Sequence, residues 1–241
     1  MPSNTYLLLD IFTLLGPLIL SFDKRVAFFK GWKALFSAIF LTGVLFIAWD
    51  VWFTEMGVWG FNDDYLVGIK SLGLPLEEWL FFLVVPYACV FIYEVMGSYF
   101  PTEPDRPWAR SLATGLSIIL LIIGLMTTDQ WYTSLTFIGT ALLLALNVFV
   151  LKADYLGRFW KGYLVSLIPF YLVNGVLTAL PVVWYNDAEN FGVRMYTIPV
   201  EDSIYLLWLL LMCVNIYEWG KARMRKKASK AAISSPNRTP A

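Results

Sequence analysis

The chain has 241 residues, 59% of them hydrophobic and only 15% charged, with a mean hydropathy of +0.64. A soluble globular chain is nearer half apolar and a quarter charged, so water is not the main solvent of this one. Its formal charge of zero conceals a strong segregation of signs, and the absence of histidine excludes Ser/His/Asp triads and His-ligated metal sites.

Seven apolar runs long enough to cross a bilayer follow one another at 6–22, 34–53, 77–95, 112–128, 131–151, 162–182 and 202–219. The first has no basic stretch before it and carries Asp10, so it reads as a span that persists and not as a signal peptide. Cys89 and Cys213 both lie inside apolar runs, which argues against a zinc cluster or a disulfide framework. Neither GxGxxG nor GxxxxGKS/T occurs, so both standard nucleotide fingerprints are missing. Of the 18 basic residues, 16 fall after spans one, three and five or in the tail, against Lys70 and Arg194 on the other side. The positive-inside rule then puts the amino terminus outside and the tail in the cytoplasm. Residues 220–241, basic and then rich in Ser, Pro and Ala, read as a disordered segment at the lipid surface.

Shifting the sequence by 124 lays residues 50–94 on 174–218 without a gap, and thirteen of those 45 positions are identical. The identities include Asn62/Asn186, Asp63/Asp187, Gly68/Gly192, Pro75/Pro199 and Glu77/Glu201, which chance matching of leucines does not produce. The expected fold is an all-α polytopic membrane protein with seven transmembrane helices. Two parallel three-helix repeats, 1–95 and 131–219, are joined by a linker with the fourth helix, 96–130, before the tail. Equivalent spans lie four crossings apart, so a pseudo-twofold axis runs along the membrane normal and the natural site lies between the repeats.

Each repeat carries Pro-Leu/Val-Glu-Glu/Asp at the outer end of its third span, with Glu77 and Glu78 in the first and Glu201 and Asp202 in the second. Proline at a helix start, followed by acids in the first turn, is what capping alone requires. Two observations point further. The acids share the outer half of the membrane with Asp10 and Asp50, the latter matched by Asn174, and ionisable groups at that depth face a bundle interior and mark function. Aromatics also gather around them, among them Trp79, with Phe81 and Tyr205 each four residues after a glutamate and able to face a cation with their rings. Carboxyls in an apolar, aromatic cavity suit protonation of a carbon–carbon double bond and shelter of the resulting cation. Helical neighbours point about 100° apart, so one acid of each doublet faces the cavity, and the identity of Glu77 with Glu201 favours that pair.

The duplicated motifs at Pro75 and Pro199, each preceded by an Asn-Asp turn, resemble those of the membrane-integral lycopene cyclases, over essentially everything up to about Trp219. The chain looks like the fused form of a family whose halves also occur as separate subunits. The resemblance implies non-redox cyclisation of the ψ end groups of lycopene to β-ionone rings. Glu77 and Glu201 would be the first acid/base candidates and Glu78 and Asp202 the second, with Asn62 and Asn186 shaping the loops over a pocket for Asp10, Asp50, Asn174 and the aromatics. It also implies lycopene and the bilayer as partners, with other carotenoid enzymes beside them and no nucleic acid, a bacterial inner-membrane location, no flavin or other cofactor, no metal and no phytoene synthesis. Two rival readings stand beside it: an intramembrane prenyltransferase-like enzyme, from Asn62-Asp63-Asp64 and Asn186-Asp187-Ala188-Glu189, and a small proton-coupled carrier. A rhodopsin would need a lysine in the last span, and 202–219 contains none.

Overall fold

The computed structural model describes residues 4–101 and 106–234, the side chains of 231–234 excepted. Seven α-helices account for most of them: α1 (Thr5–Leu20), α2 (Trp32–Met56), α3 (Leu76–Tyr99), α4 (Pro107–Met126), α5 (Trp131–Ala145), α6 (Leu156–Ala179) and α7 (Glu201–Ser234). Six are long and apolar enough to cross a membrane, α5 counted with the wide turn Leu146–Val150 that continues it. The exception is α1, whose 16 residues span about 24 Å against a hydrocarbon core of about 30 Å. Leucine, phenylalanine and isoleucine cover the outer faces, and solvent-like exposure of that kind fits lipid and not water.

The helices form two interlocked groups. α3 lies between α1 and α6, and α7 lies between α5 and α2, so each group takes one flanking helix, α6 or α2, from the other repeat. α4 packs mainly on α5 at the edge. α3 and α7 also touch each other, and this contact brings Cys89 near Cys213, with Ser166 beside the first and its counterpart Thr42 beside the second.

Six short strands occupy the loops, which the all-α expectation does not include: β1 (Trp59–Phe61), β2 (Lys70–Ser71), β3 (Leu74–Pro75), β4 (Val183–Tyr185), β5 (Arg194–Met195) and β6 (Ile198–Pro199). β2–β3 and β5–β6 are hairpins in the same register, Lys70 opposite Pro75 and Arg194 opposite Pro199. Both loops reach these hairpins through Gly68 (φ +90°) and Gly192 (φ +65°), a left-handed turn that glycine adopts without strain. β1 pairs with β4 antiparallel, with Trp59 opposite Tyr185, Gly60 opposite Trp184 and Phe61 opposite Val183. Gly60 and Trp184 are 124 apart, so the ribbon is self-complementary and the pseudo-twofold axis passes through its centre. It ties the two repeats together over the starts of α3 and α7.

At the opposite end a cluster of charges closes the bundle. Arg158 of α6 bonds to Glu218 and to the Tyr93 hydroxyl and lies 3.8 Å from Glu94, while Lys221 reaches Glu94 at 2.5 Å and Glu218 at 3.3 Å. Tyr93/Tyr217 and Glu94/Glu218 are repeat identities, so the cluster sits where the two copies meet. The tail expected to be disordered from residue 220 is instead helical through Ser234, while 235–241, with Arg238, lie outside the described residues. Alanine, lysine, arginine and methionine are good helix formers, and prolonging an existing helix needs no new nucleus.

Replacing Arg158 with alanine leaves two half-buried glutamates with one lysine. Thermal unfolding in detergent should show a loss of about 1–3 kcal/mol. Arg158→Lys should recover only part of it, because an ammonium does not reproduce the guanidinium fork.

Candidate active site

The ribbon β1–β4 and the first turns of α3 and α7 enclose a constricted cavity of about 50 Å³. It is lined by Tyr6, Asp50, Trp59, Glu78, Phe81, Tyr132, Phe170, Asn174, Tyr185, Asp202 and Tyr205, with a few aliphatic residues between them. Glu78 and Asp202 are repeat equivalents, as are Asp50 and Asn174, so the cavity straddles the pseudo-twofold axis.

The two sides differ in the groups that face each carboxyl. On the second side Asp202 accepts three hydrogen bonds: from the Tyr132 hydroxyl to Oδ1 at 2.6 Å, and from Asn174 Nδ2 and the Tyr185 hydroxyl to Oδ2, both at 2.9 Å. Both oxygens of this carboxyl are thus occupied by donors. Burial, with Asp202 next to it, pushes the Tyr185 hydroxyl well above its ordinary value, so it stays protonated and keeps donating. On the first side the Tyr6 hydroxyl donates to Glu78 Oε2 at 2.6 Å, in the place Tyr132 takes opposite. Where Asn174 donates an amide hydrogen, Asp50 offers a second carboxyl. Asp50 Oδ1 accepts from Trp59 Nε1 at 2.6 Å and from Thr54 Oγ1 at 3.5 Å, while its Oδ2 meets no donor and Glu78 is its hydrogen-bonding neighbour. Two carboxyls side by side bond to each other only by sharing a proton.

Glu77 and Glu201 are fully buried but do not line the cavity. Each turns back to hold its loop. Glu77 Oε1 accepts the Val67 N–H at 2.7 Å, and Glu201 Oε1 accepts the equivalent Phe191 N–H at 2.8 Å and the Thr133 hydroxyl at 2.7 Å. Asp10 is buried close to Glu77 and also outside the cavity wall. Phe81 and Tyr205 line the cavity; Trp79 does not, its indole N–H reaching the Ser71 carbonyl at 3.3 Å. Asn62 and Asn186 cap the turns beyond the ribbon, accepting the N–H of Asp64 at 3.0 Å and of Ala188 at 3.1 Å. The neighbouring aspartates are engaged by cations, Asp63 with Lys70 at 2.6 Å and Asp187 with Arg194.

Sequence reasoning missed Tyr6 and Tyr132. They are equivalent at a spacing of 126, not 124, so an ungapped alignment of the repeats does not bring them together. A tyrosine at the outer end of spans one and five is the signal that marks them.

Around this cavity α3, α7 and their partners make a polytopic membrane protein with a paired-carboxyl site between two repeats. The family model for lycopene cyclase matches residues 3–96 and 129–220, most of both repeats, and leaves out the stretch that holds α4. The chain belongs to the lycopene cyclase family. Similar curated proteins are a bifunctional lycopene cyclase/phytoene synthase of Podospora anserina and one of Neurospora crassa. The first is 23% identical over 76% of this chain and 31% of the relative, and the second 23% identical over 58% and 26%. The chain thus spans under a third of the length of these curated relatives. No solved structure matches it.

Glu77→Ala removes the acceptor of a buried backbone N–H and should lower stability by about 1–3 kcal/mol. Glu77→Gln, which keeps a carbonyl at the same place, should lose clearly less in the same unfolding measurement, and Glu201 should behave likewise.

Proposed function

We propose that the protein cyclises the ψ end group of lycopene to a ring in the membrane, by acid–base chemistry without net redox change, and that Glu78 with Asp50 supplies the proton while Asp202 takes one away. The observation that carries this reading is the unlike partners of the two equivalent carboxyls: Glu78 has a second carboxyl, Asp50, beside it, where Asp202 is met by three donors.

The Asp50–Glu78 proton is delivered to the terminal carbon–carbon double bond, leaving a tertiary cation. A second double bond of the same chain attacks that cation, closing the ring and moving the charge onto a ring carbon. Loss of an adjacent proton to Asp202 restores a double bond, so the substrate gains and loses one proton with no electrons entering or leaving, and Asp202 must pass its proton back to the Asp50–Glu78 pair before the next cycle. Phe81, Tyr205, Trp59 and Phe170 wall the cavity and offer π faces to the cation while keeping water out. Glu77 and Glu201 are positioning residues, acting through the loops that roof the site. The same reading puts α1 across the membrane as a seventh span, with the ribbon end outside and the end of α7 in the cytoplasm, as the basic residues imply. Salt bridges at Asp63 and Asp187 weigh against a metal-diphosphate function for those loops.

Pigment extracts from a lycopene-accumulating bacterium test this directly. Glu78→Gln and Asp202→Asn should each reduce cyclic carotenes by about 10²–10⁴-fold at equal protein level, the range for removing a general acid or base. Glu77→Gln and Glu201→Gln should retain measurable cyclisation. Full activity in Glu78→Gln would overturn the assignment.

A further inference from the structure

The two repeats are equivalent in chain direction but not in how tightly their helices close. A narrow apolar cleft, about 30 Å³, lies between α1, α3 and α6 and is lined by residues such as Thr13, Val85, Ala88, Ser166 and Val173. It shares Phe81, Phe170 and Asn174 with the carboxyl cavity, so the two adjoin across these side chains, and it reaches the outer surface of the bundle at the exposed Pro169.

Its symmetry counterpart, between α5, α7 and α2, is filled. The repeat offset replaces Val173 by Trp49, Val84 by Trp208 and Ala88 by Met212. Trp49 stacks 5.1 Å from Tyr205 and 5.0 Å from Trp208, and Phe46 lies 5.5 Å from Trp208. Gly139 makes the room: a Cβ there would sit 2.1 Å from the Trp208 ring. At the spacing that pairs Tyr6 with Tyr132, the counterpart of Gly139 is Thr13, in the open cleft.

Proline follows the same division. α1, α3 and α6 each contain an internal proline, Pro17, Pro86 and Pro169, whereas α5, α7 and α2 contain none. An internal proline removes a helix hydrogen bond and bends the helix, which opposes close packing along its length. The three helices around the open cleft are the three that carry one.

We infer that the cleft between α1, α3 and α6 holds the long polyene tail of the substrate while its end group occupies the carboxyl cavity, and that the aromatic plug opposite makes this the single direction in which the tail leaves. The inference rests on the cyclase reading above for the identity of the ligand. A linear conjugated hydrocarbon needs an apolar path from the acid to the bilayer; this cleft adjoins the carboxyl cavity and opens at the bundle surface, and its helices, each bent by a proline, must part to take the chain. The larger groove between α2 and α3, about 620 Å³, shares no lining residue with the cavity. Val173, Ala88 and Ser166 are then specificity-determining residues, set by the width of a polyene. One end group is processed per visit, and the second must enter by the same route after release.

The test uses full-length protein with lycopene as the probe. Purified Glu78→Gln protein in detergent should bind lycopene and give it an induced circular dichroism, since the polyene lies in a chiral slot. Adding Val173→Trp should remove at least nine-tenths of that signal, and Ala88→Val, Ala88→Leu and Ala88→Phe should weaken it in that order. Gly43→Leu, which fills open space in the α2–α3 groove where the nearest atom to an added Cβ is 4.0 Å away, should leave it unchanged. In cells, Val173→Trp should cut lycopene conversion at least tenfold at equal membrane level and thermal midpoint. Binding retained by Val173→Trp, or lost in Gly43→Leu alone, would overturn the inference. Lycopene left unconverted by the parent protein would instead overturn the cyclase reading, with the binding arm still deciding the cleft.

Discussion

Carboxyls buried at the starts of α3 and α7 have no water to solvate them, so the fold must supply every hydrogen-bond partner, and most of its distinctive features follow from that demand. An unpaired buried charge is among the most expensive things a protein can hold. The partners come from all sides: Tyr6 and Tyr132 from the first helix of each repeat, Asn174 from α6, Trp59 and Tyr185 from the ribbon, and the loop N–H groups of Val67 and Phe191. The β1–β4 ribbon is thus more than a clasp between repeats. It carries two of the donors that make the site affordable, one for each side of the axis.

Duplication gives symmetry, and the chemistry comes from breaking it. Two copies of one carboxyl environment would titrate alike, whereas acid–base catalysis of a proton in and a proton out needs a donor and an acceptor at once. Asp50 against Asn174 provides the difference with nearly equal side-chain volume. The Asn174 amide donates to Asp202, whereas the Asp50 carboxyl can bond to Glu78 only through a shared proton.

Much of this was legible in the sequence, for reasons that are local. Helix cores, the repeat at 124, the proline-acid helix starts and the pairing of Asp50 with Asn174 depend on hydropathy and identity alone. Which acid of each doublet faces the cavity does not. Glu77 and Glu201 match because both perform the same task, holding the loop ten residues back, and identity between repeats marks a shared structural demand as readily as a shared catalytic one. The residues facing the cavity are those that differ, Glu78 from Asp202 and Asp50 from Asn174. Tyr6 and Tyr132 escaped because the first helix of each repeat is set two residues out of register with the rest. The strands escaped because two- and three-residue ribbons depend on cross-strand partners far away in sequence, not on a periodic pattern.

The lateral faces carry the symmetry breaking outward from the carboxyls. A bundle with two equal clefts would offer two equivalent ways to the carboxyls, although Glu78 has a second carboxyl beside it and Asp202 has an amide. Tryptophan at 49 and 208, made possible by glycine at 139, fills one face with rings that also buttress Tyr205 in the cavity. Proline at 17, 86 and 169 loosens the other, which meets the cavity at Phe81, Phe170 and Asn174, beside both Glu78 and Asp202. Polar asymmetry at the centre and packing asymmetry at the rim thus meet in one bundle, since the helices of the loose face, α1, α3 and α6, are those that carry Tyr6, Glu78 and Asn174.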